Sequence, residues 1–196
     1  MKHAGLRKRF IAFAIDILIV SLFVSIISSG YNSSKIDNLN KELNDVMSSY
    51  INEEISNSEY VDRVSSIGYY MSKANMVSNT LYVVICVGYF VLFQYLNNGA
   101  SIGKKIMGIR IVSKDNSSAN IFKLFIHSGV IYEIIPIVFC LILLYITKGF
   151  NYLILSGLIN FSCFLFMIIS LFMIKNRKDK LALNDIMSGC IVIESK

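Results

Sequence analysis

Four long apolar runs restrict what this chain can fold into. Phe10 to Ser28 is the first, broken by a single acid, Asp16. Asn79 to Asn97 is the second, with Gln94 as its main polar interruption, and Ile121 to Thr147 and Tyr152 to Ile174 are the third and fourth. A helix rises about 1.5 Å per residue and needs about 20 mostly apolar residues to cross the hydrocarbon core of a bilayer. All four runs reach roughly that length. Buried helices of soluble proteins are usually shorter and keep a polar face; these runs have none, apart from the start of the third. Only 16% of the residues are charged, against about a quarter in a soluble domain. The expected fold is an all-α membrane protein with four transmembrane helices, at about 10–28, 79–97, 121–147 and 152–174, forming one domain over residues 1–196.

The first run also has the outline of a secretory signal peptide. Lys2, Arg7, Lys8 and Arg9 precede it, and Ser28-Ser29-Gly30 follows it as a small-residue site. Signal peptides have apolar segments of about 7–15 residues. This run is longer and carries Asp16, so a retained span is expected. Orientation follows from the basic residues. Fourteen lie in the N-terminal segment, the segment between spans two and three and the C-terminal tail, including Lys123 just inside span three; five lie in the other two connections. The richer side is cytoplasmic by the positive-inside rule, so the chain is expected in the cell membrane with both termini cytoplasmic. The net charge of +6 is then mostly a topology signal that also attracts anionic head groups, and no nucleic-acid partner is expected. Cys86, Cys140 and Cys163 lie in spans and Cys190 in the tail, so no disulfide framework is expected. With two histidines and no CxxC, neither a metal site nor a cofactor is expected.

Between spans one and two, residues 31–78 are polar but patterned. Ile36, Leu39, Leu43, Val46, Met47 and Tyr50 fall at helical spacing, as do Tyr60, Val61, Val64 and Ile67. One or two amphipathic helices are expected there, broken at Asn57-Ser58 and packed on the outer surface of the spans. The cytoplasmic loop 98–120 contains Gly99, Gly103 and Gly108, which mark turns or close backbone approaches. Ile109 to Val112 and, in the tail 175–196, Cys190 to Ile193 are β-branched stretches expected to pair as a small hairpin-like cytoplasmic cap. Glycine and lysine together suggest a phosphate loop, but that loop needs GxxxxGK followed by Ser or Thr. Here three residues separate Gly99 from Gly103, and Lys105 follows Lys104.

The segments LRKRFIAFAIDILIV (6–20), GASIGKKIMGIRIV (99–112) and LALNDIMSGCIVI (181–193) together resemble the RDD family of small bacterial membrane proteins. That family is named for an arginine at the start of the first span and two aspartates. The resemblance places Arg9, Asp16 and Asp185 in those roles, and Gly99, Ser101, Gly103, Lys104 and Gly108 in the family's loop pattern. It implies a multi-pass membrane protein, with transport and sodium–proton antiport suggested for some members.

Ionisable groups inside spans are costly and usually face the bundle interior or water. Arg9 and Asp16 lie two turns apart on nearly one face, but their side-chain directions make a direct pair strained. Arg9 is expected to reach Asp185 and fasten the tail to span one, while Asp16 takes a partner from another span. Exchanging the two charges of Arg9 and Asp185 should then restore folded protein lost in each single variant. His127 and Glu133 lie in the first half of span three, six residues apart and therefore on different faces. Pro136 can kink that span. Residues 121–132 are polar enough to lie along the inner surface before Glu133 begins the crossing, which would put His127 at the interface. Two function classes follow. One is a small transporter or cation–proton exchanger using these carboxylates, as a homo-oligomer. The other is a non-transporting accessory, assembly or self-immunity protein acting through membrane-protein contacts. No catalytic constellation is legible, so an enzyme is not expected.

Overall fold

A computed structural model describes residues 2–28 and 33–195. Ser29 and Gly30 of the small-residue site, and Tyr31 at the start of the polar segment, lie outside the described residues. Three helices are long and apolar enough to cross a membrane: α1 (Leu6–Ser28), the composite helix Met76–Leu96, and α9 (Gly149–Asn176). The composite helix consists of α4 (Met76–Val87), a π-helical turn (Gly88–Phe93) and α5 (Gln94–Leu96). The run over 121–147 is a bent pair, α7 (Ile121–Gly129) and α8 (Ile134–Ile146), meeting at 76°, in keeping with the turn expected ahead of Glu133. The count is three spans, or four with the pair taken as one. The break has a local cause. Glu133 takes a left-handed backbone (φ 56°), which a non-glycine residue adopts rarely and which a helix cannot continue through. Pro136 then falls in the first turn of α8, where a missing N–H leaves nothing unpaired. The proline therefore begins a helix and does not kink one.

In lipid a helix must satisfy its own backbone, and its side chains then divide between lipid and protein. α1 buries Ala12, Asp16 and Val20, spaced four apart on one face, while Leu18 and Leu22 on other faces are exposed. That buried face meets α4 and α6 (Ile102–Ile106). At one end of the bundle, α2 (Ser33–Ile51) and α3 (Asn57–Ala74) form a helical hairpin closed by stacked Tyr50 and Tyr60. The break falls before Asn57 and not at Asn57-Ser58, because the Ser56 side chain caps α3 by accepting from the Glu59 N–H at 3.3 Å. α3 rests on the start of α9: Tyr69 packs edge-on against Tyr152 and donates to the Leu144 carbonyl at 3.1 Å.

The other end is a cap. β1 (Ile109–Ser113) and β2 (Cys190–Glu194) pair antiparallel, from Ile109 opposite Glu194 to Ser113 opposite Cys190. This is the pairing expected from the two β-branched stretches, and it joins the inner loop to the tail. The N-terminal segment adds to its edge, with Ala4 N–H on the Val192 carbonyl and Glu194 N–H on the Lys2 carbonyl, both at 2.9 Å. Lys2 and Glu194 therefore lie together at this end of the bundle. Ile109, Ile111, Leu124 and Val192 form the buried core beneath the sheet, each contributing about 1.5–3 kcal/mol.

Candidate functional site

Arg9, Asp16, Lys104 and Asp185, which lie near or within the spans, gather into two clamps. The first is built on Arg9, in the opening turn of α1. Its Nη1 donates to Asp185 Oδ2 at 2.6 Å, its Nη2 to the Lys180 carbonyl at 3.0 Å, and its Nε to the Ala4 carbonyl at 3.1 Å. Asp185 sits in the first turn of α10 (Leu183–Ser188), fully buried. Its carboxylate also accepts the Ala182 N–H at 2.9 Å and faces His127 Nε2 at 2.9 Å. Burial alone would raise the Asp185 carboxyl, but the His127 hydrogen bond and the Arg9 charge outweigh it and hold it at about 2. The structure thus brings together Arg9, His127 and Asp185, which lie on α1, α7 and α10.

The second clamp is built on Asp16, also fully buried. Its Oδ1 accepts the Tyr89 hydroxyl at 2.7 Å and the Gly103 N–H at 2.8 Å, and its Oδ2 accepts the Ser101 hydroxyl at 2.5 Å. The loop pattern acquires a physical reading from this contact. Ser101 both binds Asp16 and caps α6 by accepting from the Lys104 N–H. A Cβ on Gly103 would lie 2.3 Å from the Ala12 carbonyl oxygen, so only glycine lets the loop reach α1. Gly99 has φ +84°, and a Cβ there would lie 2.0 Å from the Ile111 carbonyl oxygen. Gly108 turns the chain into β1. Lys104 points inward, 6% exposed, and donates to Gln94 Oε1 at 2.6 Å. Burial lowers its pKa to about 8, against the opposing pull of Asp16.

Glu133 joins neither clamp. It is exposed and makes no side-chain hydrogen bond or ion pair among the described residues. Its neighbour Tyr132 accepts the Tyr82 hydroxyl on its carbonyl at 3.2 Å. Tyr82 lies about 9 Å along the Met76–Leu96 helix from its start and about 21 Å from its end, so the Glu133 backbone lies alongside the interior of that apolar helix.

Several partners were not singled out in the sequence. Tyr89 reads as one more aromatic in an apolar run, and only the π-helical turn at Gly88–Phe93, which locally widens the helix, sets its hydroxyl beside Asp16. Gln94 reads as an interruption, and its pairing with Lys104 depends on the chain reversing at Gly99. Tyr132 stacks between Phe13 and Phe90, so the start of the bend is gripped by both neighbouring spans. Among the described residues no group of three or more His, Cys, Asp or Glu side chains is placed to hold a metal.

In comparisons with known proteins, the sequence model of the RDD family matches residues 3–189, nearly the whole chain. No match is found among curated proteins or among solved structures.

Proposed function

Because the chain belongs to the RDD family, we propose that it serves as a membrane-embedded accessory protein that binds another membrane-spanning helix and neither carries a solute nor transforms a substrate. Its orientation in this reading puts both termini and the cap in the cytoplasm, as the basic residues favour. The carrying observation is the contrast among its carboxylates. Asp16 and Asp185 each accept three hydrogen bonds while fully buried; a carboxylate held by that many donors fastens elements and does not release its partners cyclically. Glu133 is the opposite case, exposed alongside an apolar helix and without a side-chain hydrogen bond or ion pair among the described residues. An ionisable group in that position needs a partner from outside the bundle. A span carrying a basic or amide side chain at that depth, from another protein or a second copy, supplies one.

The same carboxylate favours one other reading, a cation–proton exchanger in which Glu133 is the carrying group. Purified protein in liposomes separates the two. The accessory reading expects no cation-dependent proton flux under any gradient. In native membranes it also expects a cysteine at Phe139, exposed on α8, to form a crosslink of defined mass that Glu133→Ala abolishes. Flux that Glu133→Gln removes would establish the exchanger and reject the accessory role.

A further inference from the structure

α9 is the least covered of the three long spans: between Ser156 and Ser170 it buries no residue. Ile154, Gly157, Phe161, Phe164 and Ile168 form an exposed stripe along it at steps of three and four, the spacing of a helix–helix seam. A Cβ on Gly157 would meet nothing within 4 Å, so the backbone there is open to close approach. Lipid tails cover a purely apolar stripe equally well. Asn160 changes that. It lies one turn from Gly157 and one from Phe164, and it is exposed. Along the helix it is about 16 Å from Gly149 and about 24 Å from Asn176. Lys148 and Lys175 mark the two ends of α9, so an amide at that depth sits in hydrocarbon, out of reach of either head-group layer.

An amide has two N–H donors and an acceptor oxygen. Asn160 Nδ2 donates to the Ser156 carbonyl at 2.9 Å; among the described residues its second N–H and its Oδ1 have no partner. Exposed Ser162 differs, because its single donor is spent on the Leu158 carbonyl at 2.8 Å. A donor and an acceptor left open in hydrocarbon are costly. An amide is also self-complementary: across a two-fold axis the donor of each copy meets the acceptor of the other. A second copy of this chain, inserted in the same direction, brings that group at the identical depth. It also sets Gly157 against Gly157, which lets two backbones approach closely enough for so short a side chain. We infer that the chain forms a parallel two-fold dimer along α9, with the two Asn160 amides paired beside Gly157. Helices that cross there diverge toward their ends, which separates the two copies of Lys175, about 27 Å beyond Gly157. Gly157 points about 160° away from Leu155, which lines the groove between α8 and α9 beside Phe139. The dimer contact therefore leaves the α8 face free for the partner span proposed above.

Single-molecule photobleaching of the full chain, fused at its C-terminus to a fluorescent protein and diluted in liposomes that hold no other protein, tests this. The wild type should bleach in two steps. Asn160→Leu should need about tenfold higher density to do so, as one interhelical amide contact supplies. Asn160→Gln, which keeps the amide, should restore most of the loss. Gly157→Ile should abolish the dimer, while Gly157→Ala, still small, should keep it. Melting temperatures read alongside separate loss of the dimer from loss of the fold. In native membranes, copper phenanthroline should link Phe164→Cys chains into dimers beyond the level given by the parent's own cysteines, and should not do so for Leu155→Cys. One-step traces for the wild type at every density overturn the inference, as does an undiminished dimer in a folded Asn160→Leu chain or crosslinking at Leu155→Cys equal to that at Phe164→Cys.

Discussion

Gly103 ties the loop pattern to the first span through a single missing methyl. Alanine there would press a Cβ to 2.3 Å from the Ala12 carbonyl oxygen and 2.9 Å from Asp16 Cγ. The loop would have to withdraw, taking the Gly103 N–H and the Ser101 hydroxyl away from a fully buried carboxylate. A cost of about 2–4 kcal/mol is expected from overpacking and the unpaired acceptor. Gly157 in α9 is the control, since a Cβ there meets nothing within 4 Å; Gly157→Ala should be neutral or raise stability by about 0.5–1 kcal/mol. Thermal melts of both variants in detergent read the difference, and equal melting temperatures would mean that α6 does not sit on α1. Lys104 makes a prediction in pH. Its folded pKa, about 8, lies below the unfolded value of about 10.4, so between the two the unfolded chain binds more protons and stability rises with pH. A gain of about 1–3 kcal/mol across that window is expected in the wild type. Subtracting the pH profile of Lys104→Met isolates it, and parallel profiles would show that Lys104 is not desolvated.

At the scale of elements, Arg9 holds α1 to the tail by two bonds, to Asp185 and to the Lys180 carbonyl, and a third reaches back to the Ala4 carbonyl. Arg9→Lys keeps the charge but cannot keep the fork that also reaches the Ala4 and Lys180 carbonyls; a loss of about 1–3 kcal/mol is expected. The geometry also revises the charge-exchange expectation. An arginine at 185 would bring a second donor to the Ala182 N–H that Asp185 accepts, so the double exchange should recover little of what the single variants lose. Substantial rescue in a double-mutant melt would show that the ion pair alone, and not the start of α10, is what Asp185 secures. Asp185 sets an acid limit too. Its pKa is lowered, so its contribution is fully present above the unfolded value of about 3.9 and fades as pH falls toward about 2. Much of this clamp was legible because a lone arginine at the head of a span and aspartates in costly places need partners. The rest was not. Tyr89 depends on a π-helical turn that no local propensity announces. The addition of the N-terminal segment to the edge of the β1–β2 sheet depends on contacts between distant parts of the chain, where strand propensity carries no partner information.

For the whole molecule, the short α8 raises the question of whether the chain crosses the bilayer three times or four. Its 13 residues extend about 20 Å, less than the roughly 30 Å of hydrocarbon. Continuity nevertheless favours a crossing. α7 begins beside the cap, where Lys123 donates to Ser113 at the end of β1. α9 begins at the opposite end, where Tyr152 meets Tyr69 of the α2–α3 hairpin, and runs back to α10 at the cap. The chain must therefore travel from the cap face to the hairpin face between Asn120 and Gly149, with α7 and the turn through Glu133 covering part of the depth. Single cysteines at three exposed positions test this against the parent chain: Asn44 on α2, Ser118 after β1, and Lys148 between α8 and α9. With the cap in the cytoplasm, an impermeant maleimide should label Asn44→Cys and Lys148→Cys in intact cells, and Ser118→Cys only after permeabilisation. The reverse pattern would invert the orientation but keep four crossings. Labelling of Lys148→Cys together with Ser118→Cys, and apart from Asn44→Cys, would mean that α7 and α8 form a re-entrant loop and that α9 does not reach the hairpin face.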